Sequence, residues 1–378
     1  MRIAIVTHYM PPHIGGIELL AESLYQAYIA AGHEVRWIAS RAPAVTASRE
    51  EGRIRVGCLN VLERKLGVPW PVWGAEGARE LSRLIEWADV LHIHDCLYMG
   101  SALAVLLARR RHVPVLLTQH IGFVRYSLAV LNAIERFANY TLGRAVLRGA
   151  SHLVFATPAA EEFVSSLLNG RPDNATTIPN GIDTNRFRPA TSAERAEARE
   201  DLKLPGSSQV VLFVGRLVEK KGINHVVEAC RQMDSHHFLV VGEGPMKSLL
   251  PTGSRNLTWL PHVPPEDMHK IYRAADVFLL PSHGEGLPIA VQEAMAAGLP
   301  IIISKDEIFA AAIEREGACI AIERTAGAIS EALMLLDEKP ESKLDLTRRA
   351  RVMAEREWSL NSMAKRYLKI MSEIARKS

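Results

Sequence analysis

The sequence predicts an α/β fold with two parallel sheets, each in its own domain. Short β-branched runs alternate with longer helical stretches, and near-continuous apolar strands between helices imply parallel sheets covered on both faces. The rhythm occurs twice, before and after a segment at 171–208 that holds four prolines and a charged run. A length of 378 residues exceeds what one core ordinarily organises, so two domains are expected.

In the first half, Ile3–Thr7 reads as a strand and Ile17–Ala31 as a helix stopped by Gly32. Glu34–Ala39, Val90–His94, Val115–Thr118 and His152–Ala156 read as further strands. In the second half the strands are Gln209–Val214, Phe238–Val241, Asp276–Leu280 and Pro300–Ser304. Between the halves, Glu194–Asp201 reads as part of a charged linker, and the switch is placed near residue 190. The expected domains are therefore 1–188 and 189–358, with one or two helices from Trp358 to Lys377 after the second sheet.

Composition excludes several classes. Apolar residues make up 48% and charged residues 23%, which is ordinary for a globular chain. The four cysteines (58, 96, 230 and 319) show no CxxC spacing, which argues against a zinc site or a disulfide framework and fits a reducing compartment. There is no run of about 18 uncharged apolar residues, and the first residues lack a signal-peptide pattern, so a cytoplasmic protein is expected. A net charge of +3 names no partner, and no nucleic-acid motif is present.

In open parallel sheets, ligands bind beyond the carboxyl ends of strands. The first such loop, His8–Glu18, carries Gly15-Gly16 just where a helix begins, which allows close backbone approach to a ligand. It is not a GxGxxG dinucleotide fingerprint. After the 209–214 strand, Gly215-Arg216…Lys221-Gly222 sets two cations beside a glycine turn, an arrangement suited to a leaving pyrophosphate. Gly242-Glu243-Gly244 follows the next strand and forms a tight turn. After the 276–280 strand comes Pro281-Ser282-His283-Gly284-Glu285-Gly286-Leu287-Pro288, a Gly/Pro turn into a helix whose backbone amides can cradle an anion. Glu285 and Glu293 bracket it with seven residues between them. His120 sits just after the 115–118 strand; a lone histidine is most often structural, but this position makes it a candidate for chemistry. His92 and His94 lie on one side of a strand at ligand-compatible spacing, yet no third ligand is identifiable, and no metal site is assigned.

Together these motifs resemble the retaining glycosyltransferases of family 4 (glycosyltransferase group 1), with Glu285/Glu293 as the Glu-x7-Glu pair, Arg216/Lys221 in the Gly-Arg…Lys-Gly segment, and Pro179–Asp183 as a further shared stretch. The resemblance spans nearly the whole chain and implies a GT-B fold: two Rossmann-like domains facing across a cleft, the last helix (359–378) returning to the first. It implies transfer of a hexose from a UDP- or GDP-sugar to an acceptor hydroxyl, metal-independently, with no cofactor beyond the donor. By the same resemblance, Arg216 and Lys221 bind the diphosphate, and the amides of Gly286 and Leu287 face the phosphate. Glu293 meets the ribose, Glu285 and His120 attend the transferred sugar, Gly15 and Gly16 lie near the donor phosphates, and Gly242, Glu243 and Gly244 line the base pocket. Ile121 after His120 departs from the glycine common in the family. The competing readings are a sugar-nucleotide 2-epimerase of the same fold, a NAD-dependent dehydrogenase, which the missing GxGxxG disfavours, and a non-catalytic nucleotide-sugar-binding protein.

The stretch 96–150 has seven arginines, no lysine and one acid, Glu135. Within it Leu131, Ile134, Ala138 and Leu142 follow helical spacing, with Arg136, Arg144 and Arg148 on another face. Either this is a packed helix with a solvated polar face, or 125–148 meets anionic lipid at the inner face of the cell membrane. The second reading implies a lipid-linked or glycan acceptor of cell-envelope polysaccharide or glycolipid synthesis.

Overall fold

The computed structural model describes residues 1–13, 16–41, 49–59, 71–123, 129–251, 253–284, 287–307 and 309–377. They form two units, Met1–Gly181 with Leu360–Ser378, and Ile182–Ser359.

The strands of the first unit are β1 (Arg2–Val6), β2 (Glu34–Ser40), β3 (Arg49–Glu50), β4 (Arg53–Val56), β5 (Cys58–Leu59), β6 (Val72–Trp73), β7 (Val90–His94), β8 (Val115–Gln119), β9 (His152–Phe155) and β10 (Ala175–Thr177). Eight of them form one sheet in the order β10-β9-β8-β7-β1-β2-β4-β3, and β5 and β6 form a separate antiparallel pair. All pairs in the large sheet are parallel except β3 with β4. Alternation along β1 splits the core in two. Ala4 and Val6 face one cluster with Leu84, Ala104 and Val146; Ile3 and Ile5 face another with Leu24 and Tyr28. The helix Leu360–Ala375 returns to this second face, burying Met363, Tyr367, Met371 and Ile374 there. Each such side chain contributes about 1.5–3 kcal/mol on burial, which is why the chain's last helix belongs to its first unit.

The second unit holds β11 (Gln209–Val214), β12 (His236–Val241), β13 (Leu257–Leu260), β14 (Val277–Leu280), β15 (Ile301–Ser304) and β16 (Ile320–Ile322). They form a parallel sheet in the order β13-β12-β11-β14-β15-β16 around one continuous core. The chain winds outward in both directions from β11/β14 here and from β1/β7 in the first unit, so each sheet has a switch point where adjacent loops diverge.

The division falls after Gly181, earlier than the expected 188. Ile182 donates its N–H to the Trp358 carbonyl, and Ile182 and Phe187 join the second core. The charged run expected as linker is instead the helix Ser192–Asp201. Thr191 and Glu194 form a reciprocal capping box at its start, satisfying two amide donors that would otherwise be orphaned.

Candidate functional site

In the second unit the loops after β11, β12 and β14 emerge side by side at the carboxyl edge of the sheet. Backbone contact knits them together. Gly215 N–H donates to the Val241 carbonyl, Leu217 N–H to the Glu243 carbonyl, and His283 N–H to the Lys220 carbonyl. Two glycines permit this closeness. Gly222 has φ +74, and a Cβ there would lie 2.2 Å from the Pro281 carbonyl oxygen. Gly242 has φ +129, and its Cβ would lie 2.2 Å from the Gly215 carbonyl oxygen. Gly244 likewise backs onto the Leu217 carbonyl. These glycines therefore let the loops pack directly on one another. Arg324 ties two of the loops from below, donating to the carbonyls of Pro281 (3.1 Å) and Glu219 (3.2 Å).

On this knitted edge, Arg216 is exposed and Lys221 lays its methylenes against Gly215. The helix Ile289–Ala296 follows the β14 loop and carries Glu293. Tyr272 donates its hydroxyl to Glu293 Oε2 at 2.8 Å. Burial pushes the Glu293 carboxyl up to about 7, against the pull of the Tyr272 bond and the Arg186 charge. Leu287 packs on the core of this unit. Glu285, Gly286 and Gly15 lie outside the described residues.

In the first unit, β8, β7 and β1 are neighbours, and their loops gather His120, His94, Asp95 and His8. His94 Nδ1 and His120 Nε2 are 2.8 Å apart with their rings stacked, so one donates and the other accepts. Burial, then the charge of His8, pushes His120 down to about 4, and burial pushes His94 well below the usual range. Both are neutral imidazoles at pH 7. Asp95, in the left-handed region at φ +59, accepts the His120 N–H at 2.8 Å, and burial raises its carboxyl to about 7. Gly16 opens the helix Gly16–Ala30, and nothing lies within 4 Å of the position its Cβ would take. Two residues on, buried Glu18 meets His8 at 3.2 Å and His13 at 3.1 Å.

His92 and His94 do share a side of β7, with ring centroids 4.3 Å apart. The His92 nitrogens are taken up by Thr118 Oγ1 (2.8 Å) and Tyr28 Oη (3.2 Å). Among the described residues no group of three or more His, Cys, Asp or Glu side chains is placed to hold a metal ion.

On the helix Ala129–Ala138 and the turn that follows it, Ile134 and Leu142 are 49% and 40% exposed, and the buried positions include Glu135 and Asn139. Val130 and Phe137 are 70% and 72% exposed, so the apolar stripe faces outward. No helix among the described residues is long and apolar enough to cross a membrane.

Sequence periodicity did not reveal Tyr272, Arg324, Glu18 or the His94–His120 pair. Tyr272 bonds Glu293 21 residues further on, and Arg324 bonds carbonyls 43 and 105 residues back. The pair was visible only as two histidines ending what prove to be adjacent strands.

A family model described as Glycosyl transferases group 1 matches residues 194–353, and one described as Glycosyltransferase Family 4 matches residues 14–186. TuaC of Bacillus subtilis, named for teichuronic acid biosynthesis, is 31% identical over 221 residues; the match spans 57% of this chain but only about half of that protein (53%). Alpha-monoglucosyldiacylglycerol synthase of Acholeplasma laidlawii is 26% identical over 332 residues, 83% of each chain. Among solved structures, HepE of Anabaena in complex with UDP superposes with a TM-score of 0.67 at 14% identity, covering 99% of this chain and 100% of that one.

Proposed function

Because the chain belongs to the group 1, family 4 glycosyltransferases, we propose that it moves a hexose from a UDP- or GDP-sugar to an acceptor hydroxyl with retention of anomeric configuration. The observation that carries this is the knitted edge of the second unit, where the loop with Arg216 and Lys221 packs against the loops after β12 and β14 at a sheet switch point. Such an edge suits a diphosphate. Arg216 and Lys221 hold it and stabilise the negative charge that builds on it as the sugar departs. Glu293, held by Tyr272, accepts from the ribose hydroxyls. Gly242, Glu243 and Gly244 border the base, the amides of Gly286 and Leu287 face the phosphate, and Glu285 contacts the sugar hydroxyls. In the first unit Gly15, Gly16 and neutral His120 complete the set.

In the reaction the acceptor oxygen bonds to C1 of the sugar as the bond from C1 to the phosphate oxygen breaks. The acceptor proton passes to that phosphate oxygen on the same face, and the nucleoside diphosphate leaves. No metal and no further cofactor enters the scheme. UDP in HepE supports a nucleotide donor of this kind. The first unit takes the acceptor, and the outward apolar stripe of 129–142, flanked by Arg136, Arg144 and Arg148, favours a lipid-linked acceptor met at an anionic membrane surface. The Acholeplasma synthase, whose name specifies a diacylglycerol product, supports the same choice.

Thermal unfolding of the purified chain with UDP, GDP, ADP and NAD in turn, without metal, tests the donor. A ligand at 100 times its Kd stabilises by about 2.7 kcal/mol. A shift with UDP or GDP is expected; a shift with NAD alone, or with none, contradicts the reading.

A further inference from the structure

The helix Ala129–Ala138 runs into a π-helical turn, Asn139–Gly143, before the helix Arg144–Gly149. Such turns frequently accompany functional sites. Asn139, its first residue, is 2% exposed, and neither atom of its carboxamide has a hydrogen-bond partner. A buried amide left unsatisfied destabilises the fold that holds it, so its retention at this position needs a reason.

Asn139 belongs to the wall of a cavity of about 720 Å³ with Phe123, Arg136, Tyr140, Glu162 and Phe163. That volume lies within the range of small-molecule sites. The Arg136 guanidinium is laid over the Phe123 ring, 5.4 Å from its centroid. The lining thus combines three aromatic rings with a guanidinium, a carboxylate and a carboxamide. Aromatic faces suit the C–H faces of a pyranose, and planar polar groups that both donate and accept suit its ring of hydroxyls. An isolated phosphate is disfavoured by Glu162, and a plain hydrocarbon chain by three polar side chains. Gly122, which also lines the cavity, lies two residues after His120, so the space adjoins the strand-end cluster of the first unit.

We propose that this cavity is a carbohydrate subsite, with Asn139 and Glu162 bonding sugar hydroxyls and the rings of Tyr140 and Phe163 packing on the sugar face. Its assignment to a sugar residue of the acceptor rests on the transferase reading; its chemistry does not.

The test is saturation-transfer NMR on the full chain with methyl α-D-glucopyranoside, methyl α-D-mannopyranoside, N-acetylglucosamine and maltose, with UDP and GDP titrated separately. Saturation of at least one sugar is expected. Asn139→Leu weakens it about tenfold or more, as loss of a buried polar contact does, while raising the Tm of the free protein because the unsatisfied amide is gone. A merely structural asparagine would lower Tm instead. Ser166→Trp, on the exposed side of the same wall, blocks the sugar with Tm unchanged and decides the matter should the Asn139 variant fail to fold. No saturation from any of the four sugars, or saturation undiminished in the variants, overturns the subsite. Nucleotide binding without sugar binding overturns the subsite and leaves the transferase reading standing; sugar binding without nucleotide binding does the reverse.

Discussion

Tyr272 reaches from the helix Met268–Ala274 to donate its hydroxyl to Glu293 on the helix Ile289–Ala296, and the enclosure that makes the bond also raises the carboxyl to about 7. A carboxyl raised in the fold above its unfolded value of 4.5 favours the folded state most when protonated. Its contribution is full below about pH 4.5 and is lost as pH rises through about 7. Glu293→Gln is therefore expected to match the parent Tm near pH 5 and exceed it at pH 8. Ribose hydroxyls donating to Glu293 require the ionised form, so UDP or GDP binding tightens from pH 6 to pH 8, and the variant loses that slope. Calorimetric titration at the two pH values measures it; a slope unchanged in the variant removes Glu293 from the donor site.

Arg216 and Lys221 sit on a loop whose shape is set by backbone bonds rather than by their own side chains. Replacing either by alanine should leave the fold intact and cut turnover by about 10²-fold or more, the usual cost of a preorganised charge at a leaving group. Near-normal turnover in Lys221→Ala would refute the assignment.

Gly222→Ala places a Cβ 2.2 Å from the Pro281 carbonyl oxygen at a backbone angle of +74°. The β11 and β14 loops must then separate. The substitution is expected to destabilise by roughly 1–3 kcal/mol and to abolish the nucleotide-induced Tm shift. Gly206→Ala, where nothing lies within 4 Å of the Cβ position, is the matched control and should do neither.

For the membrane contact, Phe137→Asp combined with Arg148→Glu removes one outward ring and reverses one flanking charge. Co-sedimentation with phosphatidylglycerol vesicles should fall at least several-fold at low salt, while neutral phosphatidylcholine vesicles retain little of either protein. Sedimentation unchanged by the substitutions would assign the stripe to something other than lipid.

The parallel sheets and their strand-end loops were readable because β1, β7, β8, β11, β12 and β14 are buried along most of their length and are built on short apolar runs. Edge strands were not. β13 is only half-buried and β16 only three residues long, so neither stands out from its loops. The positions of Arg216 and Lys221 on a strand-end loop, and of Glu293 on the helix after β14, were legible from local pattern, whereas Tyr272 and Arg324 make contacts between distant segments that leave no periodic trace. At 129–142 periodicity reported that an apolar stripe exists but not what covers it, so the packed and lipid-facing readings both stood until the structure showed the stripe facing outward.

The most direct measurement incubates the full chain with UDP-[¹³C]glucose or GDP-[¹³C]mannose and a bacterial lipid extract in EDTA, then follows the label by NMR. The account predicts that label moves from one of these donors into an extractable acceptor, with release of the matching diphosphate and with the α configuration kept. Failure of both labelled sugars to leave their nucleotides in the presence of folded protein, or appearance of a β-linked product, would contradict it.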